Sequence, residues 1–194
     1  MARASARASE LVAEAAGAVG RIDSAGEAAI ARLAEALIGA LEAGGKVLVC
    51  GNGGSAADAQ HIAGELAGRF RRRRRALACL ALTTDTSVLT AVGNDLGFQR
   101  VFARQVEALG RAGDVLWALS TSGASANVLA AARAARGRGM KVLAMTGSGG
   151  GKLAGLADLC FRAPAKRTDL VQQLHQLAYH IICELIDRHF ADGE

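Results

Sequence analysis

His61 and Glu65 stand four residues apart, the spacing that brings two side chains onto one face of a helix. An imidazole and a carboxylate so placed can share a metal ion, or act as base and partner in a proton transfer. Alone, such a pair is more often a surface or core contact. A second stretch raises its interest: Val171-Gln-Gln-Leu-His-Gln-Leu-Ala-Tyr-His180 holds two of the four histidines, His175 and His180. Polar and apolar positions alternate there too closely for a helix that faces only solvent. Ahead of His61 lies Gly51-Asn-Gly-Gly-Ser55. Its glycines let a ligand approach the backbone, and the helix that follows directs free N–H groups and a positive dipole end at it. Asn52 and Ser55 add side-chain hydrogen bonds, so the segment is expected to be a phosphate- or sugar-binding turn. It is neither a P-loop, lacking a Gly-Lys-Ser/Thr ending, nor a GxGxxG fingerprint. Ser120-Thr-Ser-Gly-Ala-Ser125 offers four hydroxyls and backbone amides at another helix start. That set binds a phosphate monoester without lysine or magnesium; a Ser/Thr-rich helix cap is the plainer alternative.

These segments need elements to position them. Residues from about Ser5 to Leu41 read as helix, broken near Gly20 to Ser24, with Asp23 and Ser24 as caps and Ile30, Leu33, Leu37 and Leu41 on one face. After Gly44-Gly45, the run Lys46 to Cys50 reads as a strand buried on both faces. A helix from about Ala56 to Ala67 follows the glycine turn. Further strands are expected at Ala76 to Leu82, Val115 to Leu119, Lys141 to Met145 and Leu159 to Arg162. Helices are expected at Thr86 to Val92, Phe98 to Leu109, Ala126 to Arg136 and Thr168 to Phe190. Alternating strands and helices predict right-handed crossovers and an α/β, three-layer α-β-α sandwich around a mostly parallel five-stranded sheet. Ligands of such sheets bind beyond the carboxyl ends of the strands. Gly51–Ser55, Ser120–Ser125 and Thr146–Gly151 all follow strands, which gathers the three polar turns at one edge.

The 194 residues suit a single domain, read as an N-terminal helical segment, 1–44, that serves oligomerisation, ahead of an α/β domain, 45–194. Hydrophobic residues make up 51% and charged ones 21%, an ordinary globular balance. The net charge of +5 is one patch: the run Arg71 to Arg75 holds five of 23 basic residues, and the rest balance the 18 acids. Without interleaved aromatics it reads as a solvated loop rather than a nucleic-acid surface. Cys50, Cys79, Cys160 and Cys183 show no CxxC spacing and read as buried free thiols of a reducing cytoplasm. The N-terminus lacks an apolar signal core and no run reaches the length of a membrane span, so the expected setting is cytoplasmic, away from membranes.

Several separated motifs resemble one family in order and spacing. They are GNGGSxxDAQHxAxELxGRF at 51–70, Gly93-Asn94-Asp95, STSGxSxN at 120–127 and TGxxGGxLAxLAD at 146–158. Together they resemble the sugar isomerase (SIS) domain and, more narrowly, the phosphoheptose isomerases. That resemblance implies conversion of sedoheptulose 7-phosphate to D-glycero-D-manno-heptose 7-phosphate, which opens the route to the ADP-heptose of lipopolysaccharide core and related heptosides. It implies a zinc enzyme whose ligands match His61, Glu65, Gln172 and His180, with Glu65 and His180 matching the proposed acid–base pair. Asn52, Gly53, Gly54, Ser55, Arg69, Asn94, Asp95 and Gln172 then fall at sugar contacts, and Ser120, Thr121, Ser122 and Ser125 at the phosphate. Asp169, one turn before Gln172, either orients a site residue or caps its helix. The family assembles as homotetramers with sites between subunits.

Helix geometry alone pulls against one of these ligands. Gln172 and His180 are about 12 Å apart along a helix and about 80° around it, and spacing by itself would select Gln176. Ala124 and the segment Ala163-Pro-Ala-Lys-Arg-Thr168 depart from the family's usual residues, which bears on sugar preference. Two other functions fit parts of the pattern. One is a non-catalytic relative that binds the replication initiator DnaA and lacks the catalytic pair, here present as Glu65 and His180. The other is a SIS enzyme on another phosphosugar, such as an arabinose 5-phosphate isomerase or an amino-sugar phosphate etherase.

Overall fold

The protein is described by a computed structural model covering residues 2–191. Two N-terminal helices, α1 (Ala2–Val19) and α2 (Ser24–Glu42), lead into strand β1 (Val47–Cys50) and helix α3 (Gly54–Ala67). There follow β2 (Cys79–Ala81), α4 (Thr86–Asp95), a 3₁₀ turn (Phe98–Arg100) and α5 (Val101–Leu109). The second half runs β3 (Val115–Ser120), α6 (Ala126–Gly137), β4 (Lys141–Gly147), a single turn α7 (Gly151–Ala154), β5 (Leu159–Ala163) and α8 (Thr168–Phe190). Asp23 caps α2 as expected, its carboxylate accepting from Gly26 N at 2.9 Å.

The five strands form one sheet in the order β2-β1-β3-β4-β5, and every pairing is parallel rather than mostly so. The continuous apolar runs are explained by the two faces. Val47, Val49, Val115, Trp117, Leu143 and Met145 point into a core shared with α2, α3 and α8. Their neighbours Leu48, Cys50, Leu116, Ala118, Val142 and Ala144 point into a second core with α5 and α6. Alternate residues therefore serve opposite layers, which is the expected α-β-α sandwich. Ile30, Leu33, Leu37 and Leu41 of α2 all lie in the first of these cores. The Ala76–Leu82 strand shrinks to three residues at an open edge, and Leu80 there is 45% exposed. No described helix is long and apolar enough to cross a membrane.

The strand order reverses direction between β1 and β3. That is the point where a parallel sheet opens a crevice at its carboxyl end, and it separates the Gly51–Ser55 turn from the Ser120–Ser125 turn.

Candidate active site

A cavity of about 280 Å³ occupies this crevice, lined by Asn52, Gly53, Gly54, Ser55, Ser120, Thr121, Ser125, Thr168 and Gln172. Gly53 precedes α3 at φ 55°, a left-handed conformation open to glycine. A Cβ on Gly54 would lie 2.5 Å from Gln172 Nε2, so the bare backbone is what lets α8 lean against the turn. Across the crevice, Ser120 Oγ and Ser125 Oγ are 3.0 Å apart. Ser125 precedes the first turn of α6 without using its hydroxyl as a cap, and hydroxyls beside a helix N-terminus are suited to receive an anion. The turn after β4 supports this loop from behind: Gly147 N donates to Thr121 O, and Leu153 N to Gly123 O. The three turns do gather at one edge, but only two of them line the cavity.

Asn127 had no assigned role in the sequence. It is buried, and its side-chain amide exchanges two hydrogen bonds of 2.8 Å with that of Asn52. The pair ties the glycine turn to the start of α6. Asn52 lines the cavity with one amide N–H and one oxygen lone pair used in this tie and the others left for a ligand.

The second cluster lies further along α3. His61 and Glu65 are bonded at 2.9 Å between Nε2 and Oε1, and His180 Nε2 comes within 3.5 Å of His61 Nε2. One donor atom from each of the three lies within 4.8 Å of the others. Donors bound to one tetrahedral zinc stand about 3.3 Å apart, so two nitrogens and a carboxylate oxygen at these separations fit such an ion. His61 Nδ1 meets the Tyr179 hydroxyl at 3.0 Å, the outer contact that fixes a ligating imidazole's ring. Asp58 stands close to Tyr179, with its Oδ2 buried and unpartnered. Burial raises the Asp58 carboxyl, against weaker pulls from His61 and the Tyr179 hydroxyl. His180 is held below the usual histidine value by burial first, then by His61 and Arg71, with Glu65 opposing. Its imidazole is therefore neutral at pH 7, free to bind or to move a proton.

The trio and the cavity are connected by α3 and α8, which run side by side in the same direction. Gln172 faces Gly54 at the cavity, and just over two turns on His180 faces His61. His61 lies about 10 Å along α3 from Gly54, and its side chain is 42% exposed.

The remaining residues singled out in the sequence do not reach the cavity within one chain. Asn94 and Asp95 end α4 on the surface, bonded to each other at 2.7 Å. Arg69 is exposed just beyond Gly68, the C-cap of α3, and Ser122 is exposed, its hydroxyl accepting from Ala124 N. Asp169 is exposed, gripped by Arg167 at 2.7 and 3.0 Å, and Arg167 also reaches Glu14 of α1. This pairing lowers the Asp169 carboxyl below its usual range.

The arginine run needs a correction. It is a solvated loop only in part: Arg71, Arg73 and Arg75 are exposed, but the Arg74 side chain is fully buried against an equally buried Asp187 of α8. Arg72 bonds Glu184 at 2.9 Å, and Arg75 lies over the Phe190 ring at 4.8 Å. A carboxylate more than a hundred residues away takes up the charge, and no local composition rule reports that. The four cysteines are free, with Cys50 and Cys183 buried.

Known proteins are similar to this chain throughout. The SIS domain family model matches residues 8–147. The phosphoheptose isomerase of Rhodospirillum rubrum is 57% identical over 159 residues, covering 82% of this chain and 85% of that protein. Solved phosphoheptose isomerases from Neisseria gonorrhoeae and Francisella tularensis superpose with TM-scores of 0.90 and 0.91 at 46% and 39% identity. Each comparison covers 95% of this chain and 98% of the other.

Proposed function

Since this chain belongs to the SIS domain family and, within it, to the phosphoheptose isomerases, we propose that it converts sedoheptulose 7-phosphate to D-glycero-D-manno-heptose 7-phosphate, the entry to ADP-heptose for lipopolysaccharide core and related heptosides. The observation that carries the chemistry is the meeting of Glu65 and His180 from two different helices beside His61. Moving a carbonyl from C2 to C1 exchanges one carbon-bound proton through an enediol. The Glu65 carboxylate takes the proton from C1 and returns it at C2, while the His180 imidazole passes the hydroxyl proton from O1 to O2, so both groups end as they began. No redox partner is required, since the atoms of substrate and product are the same.

His61, Glu65 and His180 would hold zinc, and the donor set of imidazole and carboxylate suits it; Gln172, packed on Gly54 about 12 Å along α8 from His180, stands apart from this trio within one chain. Zinc, when bound there, supplies polarisation of the carbonyl and charge stabilisation for the oxyanion that develops. Ser120, Thr121 and Ser125 bind the phosphate in the cavity, with Ser122 meeting it from the exposed side of the same turn, and Asn52, Gly53, Gly54, Ser55 and Gln172 bind the sugar. Arg69, Asn94, Asp95 and Asp169 lie off the cavity of their own chain, so they act at a site completed by another subunit.

That assembly is a homotetramer. Supporting it, α4 contains no buried residue, Leu80, Leu96 and Phe98 near it are exposed, and the trio of each chain opens outward. The N-terminal segment 1–44 contributes through α1, whose Leu11, Val12 and Val19 are exposed. Four unpaired cysteines suit a cytoplasmic setting.

The test is turnover of sedoheptulose 7-phosphate by the zinc-loaded protein, beside a panel of other phosphosugars. Product with the heptose substrate alone is expected, lost in both Glu65→Gln and His180→Ala. Activity that survives both substitutions overturns the mechanism. No turnover with any metal favours a non-catalytic binding protein, and a better pentose or amino-sugar phosphate substrate reassigns the sugar.

A further inference from the structure

Glu65 sits in the last turn of α3. A helix end leaves its final carbonyls without partners inside the helix and tends to fray. Here one guanidinium takes them. Arg74 Nη2 donates to Glu65 O at 2.6 Å. Its Nη1 donates to Leu66 O at 3.0 Å, Gly68 O at 3.3 Å and Arg75 O at 2.8 Å. Its Nε donates to Asp187 Oδ1 at 3.0 Å. The other Asp187 oxygen accepts from the backbone N–H groups of Arg71 and Arg72 at 2.9 and 2.6 Å. Both side chains are fully buried.

Asp187 lies seven residues after His180, two turns along the same face of α8, about 10 Å away. The ion pair therefore fastens the end of the helix that bears Glu65 to the helix that bears His180. A burial this complete costs desolvation that simple stability does not require, and an apolar pair of the same size would do as well for packing. What an apolar pair lacks is direction. The planar fork addresses several carbonyls at once and fixes where they stand.

We propose that Arg74, held by Asp187, is a positioning residue that locks the last turn of α3 onto α8 and so sets the distance between the Glu65 carboxylate and the His180 imidazole. The proposal rests on the reaction assigned above. It also gives the arginine run a role in the site: Arg74 carries it, and the exposed Arg73 does not.

The experiment compares wild type, Arg74→Lys, Asp187→Asn and the control Arg73→Ala by steady-state kinetics and by zinc affinity in chelator competition. Lysine keeps the charge but offers one nitrogen in place of the fork. Expected for Arg74→Lys and Asp187→Asn is a 10- to 100-fold fall in kcat, KM within about twofold, and zinc binding weakened about tenfold. The phosphate-binding loop is untouched, which is why KM holds. Arg73→Ala should match wild type. If the variants only lose thermal stability, with kcat and zinc affinity unchanged in the folded protein, the pair is structural and the proposal is overturned. Should Arg74→Lys fail to fold, Asp187→Asn decides by the same two readouts. An inactive wild type takes down the assigned reaction instead, and zinc affinity then decides the positioning role by itself.

Discussion

At the scale of single residues, two side chains outside the reacting pair have measurable consequences. His175 is completely buried, with Nε2 donating to Thr146 O at 3.1 Å and Nδ1 without a partner. Burial lowers its pKa from 6.5 to about 4, against a smaller upward pull from that carbonyl bond. Between those values the unfolded chain binds a proton that the folded chain refuses. Stability is thus fully present above pH 6.5 and falls as pH drops toward 4, by about 3 kcal/mol. His175→Gln keeps a donor for Thr146 and removes the titration. Urea unfolding from pH 7.5 to 4.5 should then show a slope shallower by one proton than wild type; equal slopes would discard the assignment. Tyr179→Phe removes the hydroxyl behind His61 Nδ1 and should weaken zinc binding about tenfold, read by chelator competition. An unchanged affinity would mean that the ring is fixed by packing alone.

At the scale of elements, the loops are built on backbone that side chains cannot replace. Gly123 has φ 61°, and a Cβ there would collide with the Gly150 carbonyl. Gly123→Ala should therefore push the phosphate loop off the turn after β4. We expect KM for the phosphosugar to rise at least tenfold and Tm to fall by several degrees, the strain being about 1 to 3 kcal/mol. Calorimetry and kinetics on one preparation check both, and a KM equal to wild type would remove this loop from phosphate binding. The loops were legible in the sequence because a glycine- or hydroxyl-rich turn between an apolar run and a helix is a local pattern. α3 begins two residues earlier than the sequence suggested and α4 runs three residues longer. Helix ends answer to contacts that periodicity does not contain.

At the scale of the whole molecule, the proposed assembly can be tested at one exposed aromatic. Phe98 is 63% exposed beside a helix with no buried residue, a strange place for a large aromatic in an isolated subunit. Phe98→Asp should shift the mass by light scattering from the proposed tetramer to a smaller species and lower activity in parallel. A tetramer that survives the charge would place the interface elsewhere.

The sequence by itself determined the alternation of strands and helices, the two ligand-facing turns, and the identity of His61, Glu65 and His180 as residues worth joining. The elements and the His61–Glu65 pair depend on local pattern, a continuous apolar run for a buried strand, four residues for a helix face, a few for a turn; His180 was joined to that pair by the family resemblance. Only the tertiary structure decided which distant residues meet. His61 and His180 are 119 positions apart, Asn52 and Asn127 75, Arg74 and Asp187 113. They meet because α3 and α8 pack on the same face of the sheet, and because β1 and β3 are neighbours at its switch point. A run of five arginines looks the same in sequence whether water or a buried carboxylate receives it. The packing of α8 made that choice, since a guanidinium is buried only where acceptors from several segments converge on it.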